Sequence, residues 1–115
     1  MGAKDVFREH LRELWPAVSP YYTEVQTHDL AKVRRQMDEH LTTMAMAGEA
    51  MLLADRLHEL LDRKEEFAGE QCSVLQAAVL YFLEVDDSWN DMTAGGLADD
   101  QRVVRAAELA LTRDR

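Results

Sequence analysis

Gln71-Cys72-Ser73-Val74-Leu75-Gln76-Ala77-Ala78-Val79-Leu80-Tyr81-Phe82-Leu83-Glu84 is the stretch on which the fold turns. Val74, Leu75, Ala77, Ala78, Val79, Leu80, Phe82 and Leu83 leave almost no polar side to it. A helix that is apolar nearly all round belongs inside a protein rather than on its surface. The strongly apolar part, Val74 to Leu83 with Gln76 inside it, is too short to span a bilayer, which needs about 20 residues. The stretch therefore reads as a central helix over about 71–84, and the rest of the chain must supply its cover.

Downstream, a loop is expected over Val85 to Ala98, with Gly95-Gly96 inside it, then a last helix over about Asp99 to Thr112 burying Val103, Val104, Ala107 and Leu111. Upstream lies a polar joint at Arg63 to Glu70, and before it a long region at about 29–66. Leu30, Val33, Met37, Leu41 and Met44 make one stripe there, and Leu52, Leu53, Leu57, Leu60 and Leu61 another. Ala45 to Ala50 separates the stripes and contains Gly48. No proline or turn cluster marks a break, and a glycine costs only about 1 kcal/mol inside a helix. A single long helix is favoured over a helix pair. The first segment runs from about Lys4 to Trp15 with Val6, Phe7, His10, Leu11 and Leu14 at helical spacing, and Pro16 is expected to end it. Ser19 is placed to cap a new turn with Pro20 at its first position. The whole chain, 1–115, thus reads as one all-α domain, a small bundle of four or five helices.

Composition agrees with this. Apolar residues make up 47% and charged residues 30%, a globular balance. Isoleucine is absent, and unbranched helix formers dominate. The net charge of −9 repels phosphate backbones, so direct nucleic-acid binding is not expected. An acidic accessory subunit or a nucleic-acid mimic on a basic partner is the reading left open by the same charge. One cysteine, Cys72, allows no internal disulfide. Met1-Gly2-Ala3-Lys4-Asp5 leads directly into a charged amphipathic stretch without a signal-peptide pattern. The expected location is cytoplasmic.

The segment from Tyr81 to Asp100 is unusual in running an apolar helix into five aspartates. Tyr81, Phe82, Asp87, Asp91, Gly96, Asp99 and Asp100 fall on the pattern Y-F-x-x-P-x-D-x-x-P-D, a short loop, then G-x-x-D-D opening a helix. This resembles the YkvA-like family of bacterial helical domains, a family of unknown function. Val85 and Asn90 stand where that family carries prolines. The resemblance covers the C-terminal third and implies a helical fold without supplying an activity.

Asp99 as a helix cap and Asp100 in the first turn have an ordinary explanation, because free N–H groups and the helix dipole favour carboxylates there. Asp86 and Asp87 follow a helix C-terminus, where the dipole disfavours them. Either Asp87 caps a short turn at Ser88 to Asp91, the commoner arrangement, or Asp87, Asp91, Asp99 and Asp100 are candidate ligands of a divalent cation, Mg²⁺, Ca²⁺ or Mn²⁺, since hard cations take several carboxylate oxygens. The spacing is not that of an EF-hand. No other cofactor is implied.

Met37, Met44 and Met51 lie seven residues apart, a seam for internal packing, for a dimer, or for a partner helix. Trp89, set among aspartates, is a candidate contact. His10, His28, His40 and His58 match no metal-ligand spacing, Cys72 has no neighbouring base, and Gly95-Gly96 is not followed by a phosphate-loop lysine. No acid, base and nucleophile converge in the sequence. The function expected is a noncatalytic interaction module binding a protein partner or itself, with divalent-metal binding as the alternative.

Overall fold

The structure, a computed structural model, describes residues 2–43, 49–87 and 94–113. Among them there are helices and no strands. The order is α1 (Ala3–Leu11), a short α2 (Trp15–Val18), α3 (Leu30–Thr43), α4 (Glu49–Asp62), α5 (Glu70–Asp87) and α6 (Ala94–Arg113). Single 3-10 turns sit at Arg12–Leu14, Ser19–Tyr21, Thr27–Asp29 and Lys64–Glu66. No helix among the described residues is long and apolar enough to cross a membrane.

α5 is central. Every residue from Cys72 to Val79 is buried, and so are Tyr81 and Phe82. Helices α1, α2, α3, α4 and α6 all pack against it. The stripes that cover it are those of the sequence: Val6, Phe7 and Leu11 from α1, Leu30, Val33 and Met37 from α3, Leu53, Leu57, Leu60 and Leu61 from α4, and Val103, Val104, Ala107 and Leu111 from α6. Burying one such side chain is worth about 1.5–3 kcal/mol. The one long polar side chain in the middle of α5, Gln76, is satisfied. Its Nε2 donates to Thr23 Oγ1 at 2.8 Å, which fastens the 22–26 connector against the central helix.

Four sequence expectations are corrected. Leu52 belongs to no buried stripe and is 62% exposed. Successive helix residues are about 100° apart. Leu57, Leu60 and Leu61 all cluster near Leu53 on the wheel, whereas Leu52 falls well outside their arc. The first helix does not run to Pro16. It ends at Leu11, and Pro16 instead sits in the first turn of α2, where its missing N–H is harmless. Ser19 makes no cap; its hydroxyl donates to the Pro16 carbonyl at 3.5 Å. The carboxylate-rich connection is shorter than the expected 85–98. Val85 to Asp87 continue α5, and α6 begins at Ala94, running through Gly95 and Gly96. Asp99 and Asp100 thus lie in the second turn of α6, past its cap position. Ala94, Leu97 and Ala98 are good helix formers, and the helix they continue absorbs the two glycines. The join between the two long stripes, 44–48, lies outside the described residues.

Both ends of α1 are tied by distant side chains. At its start, the Lys4 N–H donates to Glu70 Oε1 at 3.2 Å, so a carboxylate from the first turn of α5 caps a different helix. A β-carbon on Gly2 would lie 2.3 Å from that oxygen, so residue 2 is kept small by the cap. At its end, Arg102 of α6 donates to the Leu11 carbonyl at 3.2 Å and to Glu13 Oε1 at 2.6 Å. Between Leu11 and Glu13 the chain turns sharply, and Arg12 takes φ 51° and ψ −114°, a conformation that disfavours any residue with a β-carbon. Such a residue stores about 1–3 kcal/mol of strain. Arg12→Gly is expected to raise stability by about 1 kcal/mol after the greater chain entropy of glycine is subtracted. Urea denaturation measures it, and a lower midpoint in the variant would contradict the strained geometry.

Candidate functional site

The residues singled out by sequence are dispersed rather than assembled. Met37 is fully buried in the core and Met51 is half-buried, while Met44 and Trp89 lie outside the described residues. Asp87 is in the last turn of α5 and Asp99 in α6, but neither side chain is described, and Asp91 lies outside the described residues altogether. Asp100 is buried, 4% exposed. Among the described residues no group of three His, Cys, Asp or Glu is placed to hold a metal ion.

His58 has surroundings that the sequence does not announce. Its Nε2 lies 3.0 Å from Asp38 Oδ1 and its Nδ1 3.5 Å from Asp62 Oδ2, while Arg34 reaches Asp62 at 2.7 Å. The cluster ties α3 to α4. Both ring nitrogens are directed to carboxylates on different sides, so they do not converge on a common centre.

Two concavities remain as candidates. The first is a groove of about 300 Å³ between α4 and α6, lined by Leu52, Leu53, Arg56, Gln101 and Arg105. No carboxylate lines it among the described residues. Arg56 is held by Glu108 in a two-pronged pair across the two helices, with Nε to Oε2 at 3.1 Å. That pair raises the already high Arg56 pKa, mainly through its hydrogen bond, and fixes the guanidinium as part of the wall. Arg105 is exposed and makes no ion pair with any described residue. Leu52 is the one large hydrophobic side chain left exposed among the described residues. An apolar knob and an unneutralised cation thus stand side by side on a protein of net charge −9.

The second is a cleft of about 500 Å³ where the starts of α1 and α5 meet the 22–26 connector. Lys4, Tyr22, Glu24, Glu70 and the buried Ser73 are in its wall. The Lys4 ammonium stands 5.2 Å from the centre of the Tyr22 ring, within cation–π range. The other side of the ring system is set by Trp15, whose ring centre is 5.9 Å away in an edge-on arrangement. Sequence gives no warning of this cleft, because Glu70 lies 66 residues from Lys4 along the chain.

Known proteins add nothing to the geometry: no family model, no curated protein and no solved structure matches this chain.

The Tyr22 phenol is pushed above its ordinary value of 10.0, first by partial burial and then by the Glu70 carboxylate, with Glu24 and Asp5 adding to it against an opposing hydrogen bond with Ser73. The folded state therefore keeps this proton at a pH where the unfolded chain has released it. The resulting stability is complete below about pH 10 and is lost as pH rises through the folded value. Absorbance titration of phenolate in the folded protein should show a component above pH 10 that Tyr22→Phe removes. Stability should also fall less steeply above pH 10 in that variant. Indistinguishable titrations of the two proteins would contradict the environment described for Tyr22.

Proposed function

We propose that this chain is a noncatalytic helical interaction module, and that the α4–α6 groove receives an acidic, apolar segment of a protein partner. The observation that supports this reading is the exposure of Leu52 beside Arg105, which makes no ion pair with a described residue, in a groove that no described carboxylate lines. An aliphatic side chain of the partner would cover Leu52, and a carboxylate beside it would meet Arg105. Arg56, neutralised and fixed by Glu108, supplies a polar wall that needs no ordering on binding. Charge complementarity of this sort favours the right partner over wrong ones and speeds encounter. It also argues against a second copy as the occupant, because a symmetric pairing through this groove would set Arg105 near its own counterpart.

We further propose, on the residues Tyr81, Phe82, Asp87, Asp91, Gly96, Asp99 and Asp100, a relation to the YkvA-like family. That relation supports a helical fold and is silent on the partner.

The test uses the intact protein and an acetylated, amidated peptide of alternating Leu and Glu, with the Leu and Lys peptide as its control. Saturable NMR shifts should centre on Leu52, Gln101 and Arg105 with the acidic peptide alone. Leu52→Ser and Arg105→Glu should each weaken binding at least tenfold, about 1.4 kcal/mol, without lowering the melting temperature, since both side chains are exposed. Equal binding of both peptides, or affinity indifferent to both substitutions, would contradict the proposal. A concentration-dependent dimer in light scattering that Leu52→Ser abolishes would also contradict it, by assigning the groove to a second copy.

A further inference from the structure

The cleft at the starts of α1 and α5 is separate from the groove assigned above, and three features of it point to one ligand chemistry. It has an aromatic floor in the Tyr22 ring. It has carboxylates on its rim, from Glu24 and Glu70. And it already holds a primary ammonium of the chain itself, since Lys4 Nζ lies 5.2 Å from the Tyr22 ring centre. A cation packed on an aromatic face with carboxylates nearby is the arrangement by which proteins bind alkylammonium groups. At about 500 Å³ the cleft is of the size of small-ligand sites and is not filled by Lys4.

We propose that this cleft binds a primary alkylammonium group, carried by a free small amine or by an exposed lysine side chain, with Lys4 acting as a built-in competitor. The ammonium would lie against the face of Tyr22 with Glu24 as its counter-charge. Glu70 is engaged with the Lys4 backbone N–H and adds a negative field while holding α1 in place. Ser73, buried in the cleft wall, lies near the Tyr22 hydroxyl. After partial burial, the same carboxylates, Glu70 and Glu24, add with Asp5 to the upward push on the Tyr22 phenol.

The competitor role of Lys4 yields a result that general attraction to an acidic surface does not. Lys4→Ala frees the aromatic face and should tighten binding of n-butylammonium at least fivefold. Lys32→Ala removes the same unit of charge from α3, away from the cleft wall, and should change it by less than twofold. Titration with n-butylammonium chloride against sodium chloride at equal ionic strength, followed by NMR, should give saturable shifts confined to the cleft wall. Glu24→Gln should weaken them at least threefold; Glu24 is exposed, so the fold is not at risk. Tyr22→Leu should abolish them. An Nα-acetyl-lysine methylamide arm separates the two sources: stronger binding than n-butylammonium assigns the site to a lysine side chain, and weaker binding assigns it to a free amine, either of which supports the proposal. Unsaturable shifts spread over the acidic surface, or equal effects of Lys4→Ala and Lys32→Ala, would overturn it.

Discussion

An 18-residue helix with apolar side chains on nearly every side cannot be half-immersed. α5 must be enclosed, and enclosing it takes most of the remaining chain. Helices α1, α3, α4 and α6 turn their apolar stripes inward around it, and most of what they present outward is polar, with Leu52 of α4 the exception. The long polar side chain that burial in α5 would strand, Gln76, is paired with Thr23 at the edge of the core. Removing a single large side chain from this packing, such as Leu75 or Phe82, typically costs 2–5 kcal/mol, a large part of a small domain's stability.

Enclosure also decides where side chains remain available. α1 is fixed at both ends, by Glu70 at the start and Arg102 at the end, so the starts of α1 and α5 are held side by side and a cleft opens above them. α4 and α6 are clasped by Arg56 and Glu108, part-way along their contact, and the groove beside that clasp keeps Leu52 and Arg105 at the surface. The described walls of both concavities contain no residue of 85–98. Both are products of how peripheral helices seat themselves on the central one.

Much of the fold was legible in the sequence because burial imposes a period. Val6, Phe7 and Leu11 of the first stripe, Leu30, Val33 and Met37 of the next, and all four residues named for α6 are buried, whereas His10 is exposed, and the composition of 71–84 marks the helix they cover. The errors arise where period is a poor guide. Leu52 is apolar and adjacent to Leu53, but adjacency on a helix is a turn of about 100°, and only the angle decides burial. Pro16 and Gly95-Gly96 are strong local breakers, yet Pro16 fits a first helical turn and the glycines are carried by the helix that contains them. The break after Leu11 has no breaker at all; it falls on Arg12, and tertiary contacts of Arg102 at that point hold a conformation the local residues disfavour. Of the candidate sites, Leu52 and Arg105 can be found on a helical wheel once the buried arc is known. The meeting of Lys4, Tyr22 and Glu70 depends on long-range packing and leaves no local signature.

Native-state hydrogen exchange tests the enclosure of α5 most directly. The account predicts that the amides of Leu75 to Val79 exchange only through global unfolding, with protection equal to the stability measured by denaturant. Exchange of those amides through smaller openings, ahead of the amides in α3 and α4, would contradict it.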